Sequence, residues 1–489
     1  MEVLDTKEKR HSLGVNLSFN LFLSLSNILF PIITFPYVSR VLGPEGIGKV
    51  QFVISFTQYF ILIAALGTPV YGIREVSKLS HDVVGLKKIF TTLLSLNIVT
   101  SVVLFIIFII IIVCVPTLCI DFKFYLIAGI NILLSFSSID WFFSGIEKFK
   151  LIALRSLFVK VLFLVILFLV VRDRADIFPY LFVVVGASLL NNVYNIFSAR
   201  KYFDLSLISK VDFRVHLKPL LFIFSSIVIA SVYSALDTVL LGFIKGFKDV
   251  GYYSAASRLV KVGIPILTAL STVLLPQLTQ SFRDKDNERI HKLLNKGLSY
   301  VILLGIPISV GFIALSSDII VFFSGNEFLE ASLTLKIMAP VALIIGISTV
   351  WVVLILSPNS KDKEGVFSVS AGLLISLILN LVLIPKYGHV GAAISNLFSE
   401  FSVMCFFMYF ASKVFKYKFD WKLFFTCLFI SLMFFPIIYC VKLILSNGIL
   451  VLLTCILICA SFYLTMALLF IKNEFIADSM LTIRHKINI

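Results

Sequence analysis

The sequence predicts an all-α polytopic membrane protein of about fourteen transmembrane helices, built as two six-helix lobes plus two C-terminal helices. Three observations predict it. The 489 residues are 59% hydrophobic and only 14% charged, against about 25% charged in a soluble domain, so there is too little charge to clothe a water-soluble globule. Apolar runs of about 20 residues, enough to cross a bilayer, recur along the chain. Lys and Arg concentrate in alternate loops. The same composition excludes a disordered chain, a collagen-like repeat and a disulfide-rich secreted scaffold.

The first run, 13–36, follows a polar start of mixed charge and has no small-residue cleavage site before the next loop. It therefore reads as a retained span and not as a removable signal peptide. Runs at 47–68, 89–115, 122–141, 151–171 and 177–197 follow, completing a lobe over residues 1–212. The second lobe, 213–411, holds runs at 219–243, 252–276, 297–315, 333–356, 366–384 and 390–411. Residues 412–489 add two transmembrane helices, 423–443 and 448–471, and a tail.

Lys+Arg 42 against Asp+Glu 27 gives a net charge of +15. No Arg/Gly run, RNP-like aromatic motif or zinc spacing accompanies it, so nucleic acid is not an expected partner. With the amino terminus inside, the even-numbered loops and both tails carry clusters such as Lys87/Lys88, Arg200/Lys201 and Arg283 to Lys296. They outnumber the basic residues of the other side roughly three to one. Both termini are accordingly expected in the cytoplasm, with the protein multi-pass in a membrane.

Every loop is short, which restricts the chemistry. The seven cysteines lie in or beside apolar runs without a CxxC pair, a pattern of packing. The six histidines (His11, His81, His216, His291, His389, His485) fall in loops or tails. There is no HExxH, P-loop or GxSxG. No catalytic residue, metal site or cofactor is expected, and the protein is not expected to be an enzyme. Coupling to a proton or sodium gradient stays open.

A glycine pattern recurs where an outer loop turns into an inward-running helix. Gly43 to Gly48 reads GPEGIG, Gly246 to Gly251 reads GFKDVG, and a weaker copy spans Tyr387 to Gly391. Glycines cluster at tight turns in any case, but the first two copies precede the second and eighth spans. Six spans thus separate equivalent points, as in a transporter built from parallel repeats.

Ionisable residues within spans are costly and face a cavity or a partner. The sequence offers Lys160, Asp237, Arg258, Lys261, Lys336 and Glu400, with Asp140 near an inner edge and Arg155 at another. Arg258 and Lys261 are three apart, hence on one helix face, roughly 9–14 Å from its outer end. Asp237 lies at a comparable depth and could pair with either cation. Arg258, Lys261, Asp237 and Lys160 are candidates for an anionic substrate's path, the alternatives being a structural salt bridge or snorkelling; Lys336 leans toward snorkelling. Glu400, mid-span, is a candidate for ion coupling or for a hydrogen-bonded neutral carboxyl. The Tyr252/Tyr253 pair reads as an interface anchor, the alternative being a platform for a sugar. Arg40, Arg74 and Glu75 lie near helix ends, where anchors and gates occur alike; Arg74 and Glu75 are the gate candidates.

Several segments together resemble a known family. They are Pro36 to Lys49 (PYVSRVLGPEGIGK), Gly67 to Glu75 (GTPVYGIRE), Asp140 to Phe149 (DWFFSGIEKF), Val250 to Arg258 (VGYYSAASR), Val273 to Gln277 (VLLPQ) and Asn380 to Ala393 (NLVLIPKYGHVGAA). Their order and spacing are similar to those of bacterial polysaccharide-repeat flippases. These are the O-antigen, capsule and exopolysaccharide exporters of the multidrug/oligosaccharidyl-lipid/polysaccharide superfamily. The resemblance runs from about residue 13 to 411 and thins beyond. It places Arg40 in a family loop motif, as a further substrate-path candidate, and Arg74 and Glu75 in another.

What it implies is flipping of an undecaprenyl-diphosphate-linked oligosaccharide across the bacterial inner membrane, by alternating access of two lobes. The implied partners are that lipid, membrane lipids and other polysaccharide-assembly proteins. One departure is the segment Ser357 to Lys361 (SPNSK), where relatives often carry a Gly-Lys pair. The rival within transport is a cation-coupled drug or metabolite antiporter of the same superfamily, which would favour acidic residues in the spans. A membrane-bound polymerase or acyltransferase would need a large outer loop or an intramembrane His.

Overall fold

The computed structural model describes residues 13–79, 82–204, 206, 213–445 and 448–471. Helix α1 (Leu13–Ala65) has 53 residues, about 80 Å if straight, far beyond the roughly 30 Å of a hydrocarbon core. It is broken at Gly43, where φ 69° and ψ −180° are non-helical, so the first two expected spans are its two halves. Then come α2 (Thr68–Lys78), entered through Gly67 at φ 77°, and α3 (Val83–Cys114), whose first amides Val84 and Gly85 donate to the Asp82 carboxylate. After α4 (Pro116–Cys119), the expected single helix over 122–141 is corrected. It is α5 (Phe122–Leu133), a 3-10 turn at Ser135–Ser137, and α6 (Asp140–Gly145), bent by 41°. Ser135 Oγ donates to the Ile132 carbonyl and Ser137 Oγ to the Leu134 carbonyl. Serine hydroxyls bonded to nearby carbonyls in this way compete with the helix ladder. Helices α7 (Phe149–Val170) and α8 (Ile177–Ala199) follow.

Helices α9 (Phe213–Lys245) and α10 (Phe247–Asp284) meet at Gly246, φ 92°. Next are α11 (Asn287–Ala314), α12 (Ser316–Ser324), α13 (Ala331–Met338) and α14 (Val341–Trp351). Pro340 introduces α14, and a π turn at Val352–Leu356 extends it, so the expected span over 333–356 is assembled from pieces. Helix α15 (Asp362–Val414) breaks at Gly388, φ 55° and ψ −132°. Its halves fold back on each other. Gly372 faces Val403, Ser395 Oγ donates to the Ser376 carbonyl at 3.1 Å, and Gly391 lies against the Leu383 carbonyl. Helices α16 (Trp421–Leu432), α17 (Phe434–Ile444) and α18 (Gly448–Phe470) complete the chain.

Among the described residues, 11 helices are long and apolar enough to cross a membrane, and the bent α5–α6 pair makes up to 12. Two of them, α1 and α15, are each broken at a glycine where the sequence expects two spans. The protein is an all-α, multi-pass membrane protein. His216, His291 and His389 lie on α9, α11 and α15, which corrects their placement in loops. The helices continue past their apolar runs, as the 38-residue α10 does. His11, His81 and His485 lie outside the described residues.

The chain divides into two compact units, 1–42 with 49–235, and 43–48 with 236–489. The first has a core around Phe90, Trp141 and Phe142, with Val76, Ile89 and Leu93 fully buried beside them. In it the Trp141 ring lies so close to Gly72 that any Cβ there would collide with it. In the second, α16 to α18 pack on α11 through Cys427, Ile430, Cys455 and Ile302. Tyr463 OH donates to the Leu303 carbonyl at 2.8 Å, and Lys442 pairs with Asp318 at 2.7 Å.

The first glycine motif belongs to the second unit and packs there on its counterpart. A Cβ on Gly48 would strike the Phe247 carbonyl, and one on Gly251 would strike the Pro44 carbonyl. Gly48 and Gly251 are the sixth residues of their motifs, Pro44 and Phe247 the second, so the exchange is reciprocal. The third copy joins through Asp249, whose Oδ1 accepts the His389 backbone N–H at 2.8 Å.

Candidate functional site

In the second unit Asp237 projects from α9 into a fully buried setting, 3% exposed. Its carboxylate accepts from Tyr253 OH at 2.6 Å, Asn380 Nδ2 at 2.7 Å, Asn396 Nδ2 at 3.0 Å and Ser376 Oγ at 3.4 Å. Tyr253 comes from α10, the other three from the two halves of α15, so the fold at Gly388 is what closes this ring of donors. The described hydrogen bonds of Asp237 come from neutral groups, which satisfy the polar atoms of a buried carboxyl. Lys261, one of the cations that the sequence suggested as its partner, acts on it electrostatically.

Lys261, on α10, lies within electrostatic reach of Asp237, Arg258 and Glu400. It is densely surrounded by protein, yet its side chain remains exposed. Arg258 and Glu400 are half-buried. Because α10 starts at Phe247, five residues before the expected helix, Arg258 and Lys261 stand about 17 and 21 Å along its axis. Gly246 ends the preceding helix and lets the new one start at once.

Tyr252 and Tyr253, read from the sequence as interface anchors, are buried at 3% and 4% exposure. Tyr252 packs edge-on against Phe328 and His389, and Tyr253 serves Asp237. Both rings face protein because the α10 segment carrying them is buried almost all round, from Val250 to Ser257.

The first unit holds the other candidates. Lys160 Nζ donates to Ser26 Oγ at 2.8 Å and Asn27 Oδ1 at 2.5 Å. Arg40 is exposed, its Nη1 donating to the Pro36 carbonyl one turn back. Glu75 takes Lys78 at 2.8 Å and Arg74 at 3.3 Å, while the Arg74 guanidinium lies 5.6 Å from the Tyr71 ring centre. Tyr71 OH meets His216 Nδ1 at 2.8 Å.

One constellation escaped the sequence. Arg155, buried on α7, gives Nη2 to Asp140 Oδ1 at 2.8 Å and Nε to Asn191 Oδ1 at 3.0 Å, and Nη1 bonds Asn195 Oδ1. Asn195 Nδ2 returns to Asp140 at 3.0 Å. Read as charges at span edges, Arg155 and Asp140 attracted no role. The signal that could have found them is Asn191 and Asn195, four apart and so on one helix face. A cavity of about 430 Å³ opens beside the network. Among the described residues, no group of three or more His, Cys, Asp or Glu side chains could hold a metal.

Comparisons with known proteins agree with the resemblance read from the sequence. Residues 13–282 match the family described as polysaccharide biosynthesis protein, and residues 223–383 match the MatE family. A relative named "Putative O-antigen transporter", from Escherichia coli (strain K12), is 26% identical over 385 residues, covering 77% of this chain and 91% of its own. A "Lipid II flippase MurJ" from Bacillus subtilis (strain 168) is 30% identical over 142 residues, 28% of this chain and 26% of its own. Among solved structures, "Lipid II flippase MurJ, inward closed conformation" superposes with TM-score 0.68 at 18% identity, covering 93% of this chain and 98% of that one. A multidrug resistance MATE family transporter, inward-facing, gives TM-score 0.58 at 14% identity over 82% and 98%. At such identities the two structures share the fold.

Proposed function

The chain belongs to the polysaccharide biosynthesis protein family, and from that membership we propose that it flips a polyprenyl-diphosphate-linked oligosaccharide across the cytoplasmic membrane for surface polysaccharide assembly. It works by alternating access of its two lobes, with both termini in the cytoplasm. The single observation that carries the reading is Lys261, a cation deep in a span that keeps an exposed side chain, with Arg258 one turn away on the same helix. A diphosphate crossing a low-dielectric core carries a large desolvation cost. Charge-assisted hydrogen bonds from a forked guanidinium and a point-charge ammonium offset it. The names of the curated relatives, O-antigen transporter and lipid II flippase, support the same substrate class.

Arg258 and Lys261 take the diphosphate, with Asp237 holding Tyr253 and the two halves of α15 in place beside them. Lys160 and Arg40, in the first unit, are further candidates along the substrate's path. Arg74 and Glu75 form a gate at a helix end, and Glu400 couples transport to a proton or sodium gradient.

The test is reconstitution in vesicles with a fluorescent polyprenyl diphosphate bearing a short oligosaccharide, followed by chemical quenching from one side. Protein-dependent movement between leaflets is the expected result. No movement for any of several glycans, together with drug efflux by the same vesicles, would overturn the reading in favour of an antiporter.

A further inference from the structure

The first unit contains a cavity whose chemistry differs from that of the cation-bearing α10. About 430 Å³ in volume, it falls within the roughly 300–1,000 Å³ of small-molecule sites. Its lining comes from α1, α5, α6, α7, α8 and the serine turn between α5 and α6. The charged residues among that lining are Asp140 and Arg155, and they are spent on each other. Each nitrogen of the Arg155 guanidinium already has a protein acceptor: Asn191, Asn195 or Asp140. With its charge balanced and its nitrogens engaged, Arg155 is poorly placed to clamp a phosphate, which calls for uncommitted charged donors.

What the cavity does present is uncharged and amphoteric. Asn131, Asn192, Gln58 and Ser188 face it, and carboxamides and hydroxyls each offer both donor and acceptor atoms. Sugar hydroxyls need that double character at every position. Asn131 Oδ1 is buried without a hydrogen-bond partner among the described atoms. A buried acceptor left unmade costs free energy, and a turn of the Asn131 carboxamide toward the cavity it lines would let a ligand hydroxyl satisfy it. No aromatic ring is among the residues lining the cavity, so recognition there runs through hydrogen bonds rather than stacking.

We propose that this cavity is a glycan subsite, which takes one neutral sugar ring of the lipid-linked substrate and discriminates between glycans, while the diphosphate is held elsewhere. The inference rests on the flippase reading and extends it by assigning sugar recognition to the Asn131 and Ser188 surface. The Arg155–Asp140–Asn191–Asn195 network forms a neighbouring part of the same lining, and Asn192 Nδ2 donates to the Leu134 carbonyl at 3.5 Å.

The experiment uses the full chain in vesicles with three probes: a polyprenyl diphosphate bearing a neutral hexose, one bearing an N-acetylhexosamine, and one with no sugar. The unaltered protein should move at least one sugar-bearing probe faster than the bare one. Asn131→Leu and, separately, Ser188→Leu should lower the ratio of sugar-bearing to bare rate about fivefold, the effect of losing one neutral hydrogen bond. Measuring a ratio guards against partial misfolding, because a damaged protein loses both rates together. An unchanged ratio in both variants, including a parallel loss of both rates, overturns the subsite. Equal rates for bare and sugar-bearing probes in the unaltered protein also overturn it, while leaving the flippase reading intact. Movement of no probe at all sinks the flippase reading, and the subsite with it.

Discussion

Gly48 and Gly251 occupy reciprocal positions, each with its Cα pressed against the backbone carbonyl of the second residue in the other's motif. Two segments of identical glycine spacing thus interlock backbone to backbone. A side chain at either position meets main-chain atoms, which have no rotamer by which to retreat. Gly251→Ala should therefore lower stability by about 1–3 kcal/mol, the usual cost of overpacking. Thermal unfolding in detergent reads it. A variant melting with the native protein would show that the two motifs separate without penalty.

The Arg155–Asp140 pair is unequal, with side-chain exposures of 3% and 48%. Asp140→Asn leaves a buried guanidinium facing neutral groups alone. Breaking a buried pair from one side costs about 3–5 kcal/mol, and the half-exposed carboxylate brings that down to about 2. Trp141, next in sequence and buried at 3% exposure, supplies a fluorescence signal for the unfolding curve. Equal midpoints for the variant and the native protein would reduce the pair to a surface contact.

Ser360 holds φ 56° in the left-handed region, a conformation that favours glycine. A non-glycine residue there costs roughly 1–2 kcal/mol. Ser360→Gly should accordingly stabilise by about 1 kcal/mol, after the entropy glycine adds to the unfolded chain. A lower melting temperature would mean that the serine hydroxyl contributes more than its backbone strain removes.

Transport should fall about tenfold or more in Arg258→Ala, with membrane insertion and melting temperature retained, if the guanidinium meets the diphosphate through a charge-assisted bond. Arg258→Lys should recover only part of it, because an ammonium cannot donate as a fork. Native rates in Arg258→Ala would assign the residue to helix packing.

Glu400 shares its surroundings with Lys261. Glu400→Gln keeps the shape and removes the titratable proton, so transport should continue and lose its dependence on a pH gradient. Vesicles that still respond to an imposed gradient would remove Glu400 from coupling.

The spans, their order and the family were legible in the sequence because each rests on local information. An apolar run declares itself within about 20 residues, and the motifs from Pro36 to Ala393 keep their order along the chain. The glycines at 43, 246 and 388 were legible as turns because positive φ excludes most other residues. Even the deep cations could be found one at a time, since any charge in an apolar run stands out.

Partnership was decided only by the tertiary structure. Asp237 receives Tyr253, Asn380 and Asn396 from three helical segments up to 159 residues away in sequence, and no local pattern pairs them. Arg155 reads as a span-edge charge until α6 and α8 bring it Asp140 and Asn195. Apolar packing in a membrane is permissive about which helices meet, since lipid tails are as apolar as leucine. Composition and hydropathy therefore determined that the chain crosses the membrane and roughly where. Close approach at small residues and the satisfaction of buried polar groups decided which faces came together, and with them the chemistry that each unit presents.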